Sequence, residues 1–397
     1  MTLPALRLKK REDRRLRAGH LWVFSNEVDT AATPLAAFEP GQAVLIEAAD
    51  GNALGTGYVN PNTLICARLV SRDPGRVLDQ ALLAERLNLA LALRERLFDA
   101  PYYRLAFGES DNLPGLVVDR YAGLLVAQIT TAGMERLKPE LLSALQEVLR
   151  PQAILLRNDG TSRQLEGLPS YIEAALGAVP ETVVISEGAA RFEISPQTGQ
   201  KTGWFYDQRM NRARLHDYVR GRRVLDLFSY SGGWGINAAL AGANAVLCVD
   251  SSQQAIDAVR RNAGLNHVSD TVTALKDDVF AALKTLRAER QRFEVVVLDP
   301  PALIKRKKDI KAGTVAYQRL NQAAMQLLDK DGILVSCSCS YHLEPDALRN
   351  ILLRSSRTLE RDLQILEQGR QGPDHPVHPA IAETAYLKAV FTRSVRS

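Results

Sequence analysis

The sequence predicts an α/β protein in which a doubly wound, parallel-sheet domain follows a small β-barrel and a compact α+β unit. Three observations predict it. From Val183 onward strand and helix signals alternate, as a parallel sheet with helices on both faces requires. Before residue 72, short apolar segments are separated by turn residues, the spacing of a small barrel. Between these regions lies a leucine-rich helical stretch followed by closely spaced strand signals. The 397 residues correspond to two or three domains at about 150 residues each, and the boundaries fall at 1–72, 73–182 and 183–397.

Composition bounds the answer further. With 46% apolar and 24% charged residues, the chain can bury sizeable cores, which excludes a disordered or collagenous protein. No run approaches the roughly 18 apolar residues of a membrane span, and no apolar segment of the signal-peptide kind follows the basic N-terminus. Cys66, Cys248, Cys337 and Cys339 are not spaced as a disulfide framework, so a reducing cytoplasm is the simplest setting.

In the first piece the strand-length runs are 21–28, 43–50, 53–60 and 64–71, with Gly55 and Gly57 marking a bulge or close backbone approach. In the second, leucines at helical spacing predict a helix over 78–98. Strands at 104–107, 115–119 and 124–130, a helix over 134–149 and a strand at 153–157 follow. In the third, strands at 224–228, 245–250, 271–275, 295–301 and 332–338 alternate with helices at 234–241, 253–264, 278–290 and 314–328.

In such sheets ligands bind beyond the carboxyl ends of the strands. The first strand ends in Asp226-Leu-Phe-Ser-Tyr-Ser-Gly-Gly-Trp-Gly235. This is neither GxGxxG nor a P-loop. An acid on the strand before a Gly-rich turn is the pattern of sites for S-adenosylmethionine (SAM), whose sulfonium and amino groups favour carboxylates. Asp250 ends the second strand, 24 residues later, where it can accept both ribose hydroxyls or cap the next helix. Asp277 or Asp278 ends the third strand, where either can reach an adenine amine or act as a cap.

The fourth strand ends in Asp299-Pro300-Pro301, rigid because each proline fixes its own φ and restrains its predecessor. The aromatic residue that amino-methylating enzymes place after such a motif is absent, since Ala302 and Leu303 follow. The next strand ends in Cys337-Ser-Cys339. Cys66, Cys248 and Cys337 read as small buried residues, and the histidines lack zinc-like spacing, so no metal is expected. Cys339 lies where reacting groups gather. A thiolate added to C6 of a pyrimidine makes C5 nucleophilic enough to take a methyl group, and Asp299 can bond the N3/N4 edge of a cytosine.

Charge is concentrated in two runs. One is Arg7, Lys9, Lys10, Arg11, Arg14, Arg15 and Arg17; the other is Lys305, Arg306, Lys307, Lys308 and Lys311. Within a net charge of +5, either run can be a solvated face, and together they favour nucleic acid.

The segments GESDNLPGLVVDRY (108–121), TGWFYDQRMNR (202–212), DLFSYSGGWG (226–235), LKDDVF (275–280), LDPP (298–301) and GILVSCSCS (332–340) carry a resemblance over the whole chain. It resembles the bacterial large-subunit (23S) rRNA cytosine-C5 methyltransferases, built from a PUA domain, a central α+β domain and a Rossmann-like class I SAM-dependent methyltransferase domain. The resemblance implies SAM contacts at Tyr206, Gln208, Arg209, Asp226, Phe228, Tyr230, Gly232, Asp250, Asp278 and Asp299. It implies catalysis by Cys339 with Asp299, and RNA contacts by the PUA domain to naked rRNA or an assembly intermediate. A homodimer is a further implication. Where the family has DPPKF and SCSG, this chain has Asp299-Pro-Pro-Ala-Leu303 and Ser338-Cys-Ser-Tyr341. Methylation of another base, such as guanine N7, and a non-catalytic role in ribosome assembly are the alternatives.

Overall fold

The computed structural model describes residues 3–396. The chain forms two compact units, each drawing on separate stretches of sequence: 1–183 with 195–204 and 373–384, and 184–194 with 205–372 and 385–397.

The first unit holds two five-stranded sheets. One runs in the order Ala5–Arg7, Gln42–Glu47, Ala53–Val59, Ile65–Ser71, Trp22–Phe24. The strand expected over 21–28 stops at Phe24 because Glu27 turns back and accepts the Phe24 amide at 2.7 Å. A bulge falls between Thr56 and Gly57. A Cβ on Gly55 would lie 2.0 Å from the Ser71 carbonyl, and one on Gly57 2.2 Å from the Arg68 carbonyl, so both positions need glycine. The second sheet is ordered Tyr171–Leu176, Ala153–Asn158, Leu124–Ile129, Leu116–Tyr121, Tyr102–Phe107. Helices Gln80–Leu97 and Lys138–Leu149 contribute to its core. The helix expected over 134–149 breaks at Leu137, because Pro139 suits the first turn of a new helix and not the interior of an old one.

The second unit is built on a seven-stranded sheet: β1 (Arg223–Leu227), β2 (Ala245–Asp250), β3 (Val272–Lys276), β4 (Phe293–Leu298), β5 (Leu328–Ser338), β6 (Arg361–Gly369) and β7 (Lys388–Arg396). Their order is β3-β2-β1-β4-β5-β7-β6. The first five are parallel; β7 is antiparallel to both β5 and β6, so the sheet is mixed where an all-parallel one was expected. Its helices are α1 (Arg209–Val219), α2 (Gly233–Leu240), α3 (Gln253–Leu265), α4 (Val279–Ala288), α5 (Ile310–Met325) and α6 (Pro345–Thr358). Side chains alternate across a strand, and both faces are used. Leu225, Leu227, Val249 and Leu298 join α4, α5 and α6 in one core. Asp226, Val246 and Cys248 face Gly235 of α2.

Candidate active site

Beyond β1 the chain turns sharply. Phe228 and Tyr230 hold φ of 63° and 48°, and Gly232 holds 84°. Two non-glycine residues in the left-handed region within one short turn are a local cost that concentrates at ligand sites. Contacts from outside fix the turn, among them Ser229 N donating to the Val249 carbonyl at 3.1 Å and Asn262 Nδ2 to the Ser231 carbonyl at 3.0 Å. Gly235 lets α2 approach the sheet, since a Cβ there would lie 2.4 Å from Cys248 Sγ.

Asp226 is fully buried beneath this turn. Its Oδ2 accepts the Gly235 amide at 2.9 Å, while Oδ1 is buried without a hydrogen-bond partner among the described residues. Burial pushes its carboxyl up to about 7, and the Gly235 amide opposes that shift. The side chain therefore supports the turn from below instead of facing solvent.

Asp250 sits at the end of β2 with one oxygen accepting Tyr230 N at 3.0 Å and the other Ser252 N at 2.9 Å. Ser252, and not Asp250, caps α3. A carboxylate has about four lone-pair sites, so these two bonds leave capacity for hydroxyl donors. Asp278 is exposed at the end of β3 and caps α4 through Oδ1, which accepts Phe280 N and Ala281 N. Asp277 accepts the Asp278 amide at 2.8 Å.

A second cluster gathers at the end of β4. Asp299 Oδ1 accepts Gln208 Nε2 at 2.9 Å, and Oδ2 accepts Trp234 Nε1 at 2.9 Å. Burial raises the Asp299 carboxyl above its ordinary range, and those two donors pull the other way. Gln208 Oε1 accepts Asn211 Nδ2 at 2.7 Å, so both ends of Gln208 are engaged and its amide serves the β4 acid. Arg209 stacks over Tyr206 at 5.0 Å from the ring centroid and lies 3.8 Å from Glu187. Tyr206 itself is buried.

Leu298 pairs with Ser336 across β4 and β5, so Asp299 and the two cysteines leave neighbouring strand ends. Cys337 is fully buried and burial drives its thiol far up. Cys339 lies just past the strand and is partly exposed. Sequence reading missed the groups that hold this loop. Tyr317 of α5 bonds Ser340 Oγ at 3.0 Å and accepts from Ser338 Oγ at 2.9 Å. Lys388 of β7, itself buried, donates to the Ser340 carbonyl at 2.6 Å. Burial lowers its ammonium to about 8, with Cys339 and Glu344 opposing. Trp234 was also missed, although an aromatic inside a Gly-rich turn was the available signal. No group of three or more His, Cys, Asp or Glu able to hold a metal occurs among the described residues.

Residues 166–393 match the S-adenosylmethionine-dependent methyltransferase family, and residues 6–72 match a PUA-like domain. The ribosomal RNA large subunit methyltransferase I of Erwinia tasmaniensis is 36% identical over 100% of both chains. That of Shigella boydii serotype 18 is 35% identical over 97% of this chain and 98% of its own. The chain belongs to this methyltransferase family. A solved methyltransferase, SMU.776, complexed with SAH, superposes with a TM-score of 0.85 over 98% of this chain and 100% of its own, at 19% identity; at that identity it shows the fold alone. The methyltransferase uses SAM, and the residues present fit that group. The turn is opened by positive φ, glycine clears the approach of α2, an acid ends β2 and acids follow β3, a set of acceptors suited to a ligand carrying hydroxyl and amine groups. Among the described residues no helix is long and apolar enough to cross a membrane.

Proposed function

We propose that this methyltransferase forms 5-methylcytosine in 23S rRNA in the cytoplasm, through a covalent bond between Cys339 and C6 of the target base. The observation that carries the reading is the pairing of a partly exposed Cys339 with a partly exposed Asp299 on adjacent strand ends. The relatives' name, ribosomal RNA large subunit methyltransferase I, supports the substrate class. The PUA-like domain supports contact with RNA.

SAM, when bound, supplies an electrophilic methyl group. In this reading Tyr206, Arg209, Phe228, Tyr230 and Gly232 shape its seat. Asp250 takes the ribose hydroxyls and Asp278 the adenine amine, while Asp226 acts through the turn it supports. Asp299, with its raised carboxyl pKa, hydrogen-bonds the N3/N4 edge of the cytosine. Gln208 and Trp234 fix its orientation. The Cys339 thiolate adds to C6, and electron density moves to C5, which bonds the methyl carbon as the sulfonium–methyl bond breaks and S-adenosylhomocysteine leaves. A base then takes the C5 proton, and the C6–S bond breaks to release the thiolate.

Nucleoside mass spectrometry of large-subunit rRNA, from cells with and without this chain, tests the reading. Loss of one 5-methylcytosine is expected, as is its failure to return with Cys339→Ala while SAM binding persists. Cys337→Ala should restore it. Loss of a different methylated base, or full activity of Cys339→Ala, overturns the cytosine mechanism.

A further inference from the structure

The two basic runs are not equivalent in the folded chain. In the first, Arg7, Arg15 and Arg17 are paired with Glu47, Glu27 and Asp13, and Lys9 bonds the Asn26 carbonyl, which leaves only Lys10, Arg11 and Arg14 exposed and without an ion pair among the described residues. In the second, Lys305, Arg306, Lys307, Lys308 and Lys311 are all exposed. Among the described residues, none of these five meets a carboxylate within ion-pair distance. Their charge is left uncompensated by the protein.

Their position is fixed. Ile304, the residue before the run, is buried, and its amide donates to Ser340 Oγ at 3.1 Å. Gly313 makes room for that seat: a Cβ there would lie 2.3 Å from Ile304 Cγ1 and 2.8 Å from the Leu303 carbonyl. The run therefore starts from a point bonded to the residue directly after Cys339. It ends on the first turn of α5, which follows Asp309. A groove of about 460 Å³ follows, lined by Phe280, Ala312, Val315, Ala316 and Arg319, with Phe280 47% exposed. An exposed ring and an arginine, Phe280 and Arg319, sharing one groove are the kind of pairing that holds single strands without sequence preference.

We propose that Lys305–Lys311 is a phosphate clamp that grips the RNA strand beside the target nucleotide. This rests on the RNA-substrate reading above and goes beyond it by assigning where the methyltransferase unit itself holds the backbone.

The test neutralises Lys305, Arg306, Lys307 and Lys308 to Gln together in the full chain. Binding of a fluorescein-labelled single-stranded RNA is followed by anisotropy across a salt series. Four lost phosphate contacts should flatten the log–log salt slope by about 3, at roughly 0.7 per contact. The KM for 23S rRNA should rise about tenfold or more, with kcat at saturating RNA and SAM affinity unchanged. A variant carrying Arg at all four positions should behave as the unaltered chain. An unchanged slope and KM, or a fall in kcat alone, overturns the clamp. If the product proves not to be 5-methylcytosine while the slope still flattens, the cytosine reading fails and the clamp stands. If the unaltered chain binds no RNA, both fall.

Discussion

Substituting Asp226 by Asn should remove a loss of stability with rising pH, and the size follows from where the carboxyl lies. In the unfolded chain it titrates at its ordinary 3.8; in the fold it is pushed up to about 7. Between those values the native state binds a proton that the unfolded state has released, so stability is full below about 4 and falls as pH rises through 7. A separation of about three pH units, at 1.36 kcal/mol each, amounts to about 4 kcal/mol. Asn keeps an oxygen for the Gly235 amide and never ionises, so the variant escapes this loss. Thermal unfolding at pH 5 and pH 8 checks it. That interval covers about two of the three units, about 2.7 kcal/mol, so the unaltered chain should lose roughly 5–10 °C more than Asp226→Asn. Parallel losses would refute the idea that Asp226 is neutral beneath the turn.

Trp234→Phe removes one of two donors to Asp299 and should lower kcat/KM about tenfold. The Asp299 limb of the pH–rate profile should move to higher pH, which a purely structural defect would not cause. Gly235→Ala places a methyl group against Cys248 Sγ and should destabilise the chain by about 1–2 kcal/mol while weakening SAM binding; adding Cys248→Ala should recover part of that in a double-mutant cycle. Tyr317→Phe breaks the link between Ser338 and Ser340 and should cut kcat about tenfold, with SAM affinity unchanged by calorimetry.

The parts of this fold legible from sequence were those with a local signature. β2 was found at its observed limits, Ala245–Asp250, because an apolar run is bounded there by a turn and an acid. The Gly-rich turn was legible because Gly232 and Gly235 answer backbone demands that few other residues meet. β6 was invisible: much of RDLQILEQG is exposed or half-buried, so no apolar run marks it. β7 was missed for a different reason, since only long-range pairing tells a strand returning antiparallel into a parallel sheet from one that extends it. The same limit governs the site. Asp250, Asp299 and Cys339 announce themselves at strand ends. Trp234, Tyr317 and Lys388 matter through what they touch, and those contacts span 65, 23 and 48 residues.

The place of β7 has a consequence for biosynthesis. It is later in the chain than every other strand of its sheet, yet it lies inside, between β5 and β6. While a ribosome is still making the chain, those two strands have open edges where β7 will go, the kind of edge that recruits foreign strands and aggregates. The lysine that fastens the cysteine loop arrives on that same strand. A nascent polypeptide halted before Lys388 therefore lacks a complete sheet and a fastened cysteine loop. Methyl transfer becomes possible only once synthesis has passed β7 and the strand has threaded home.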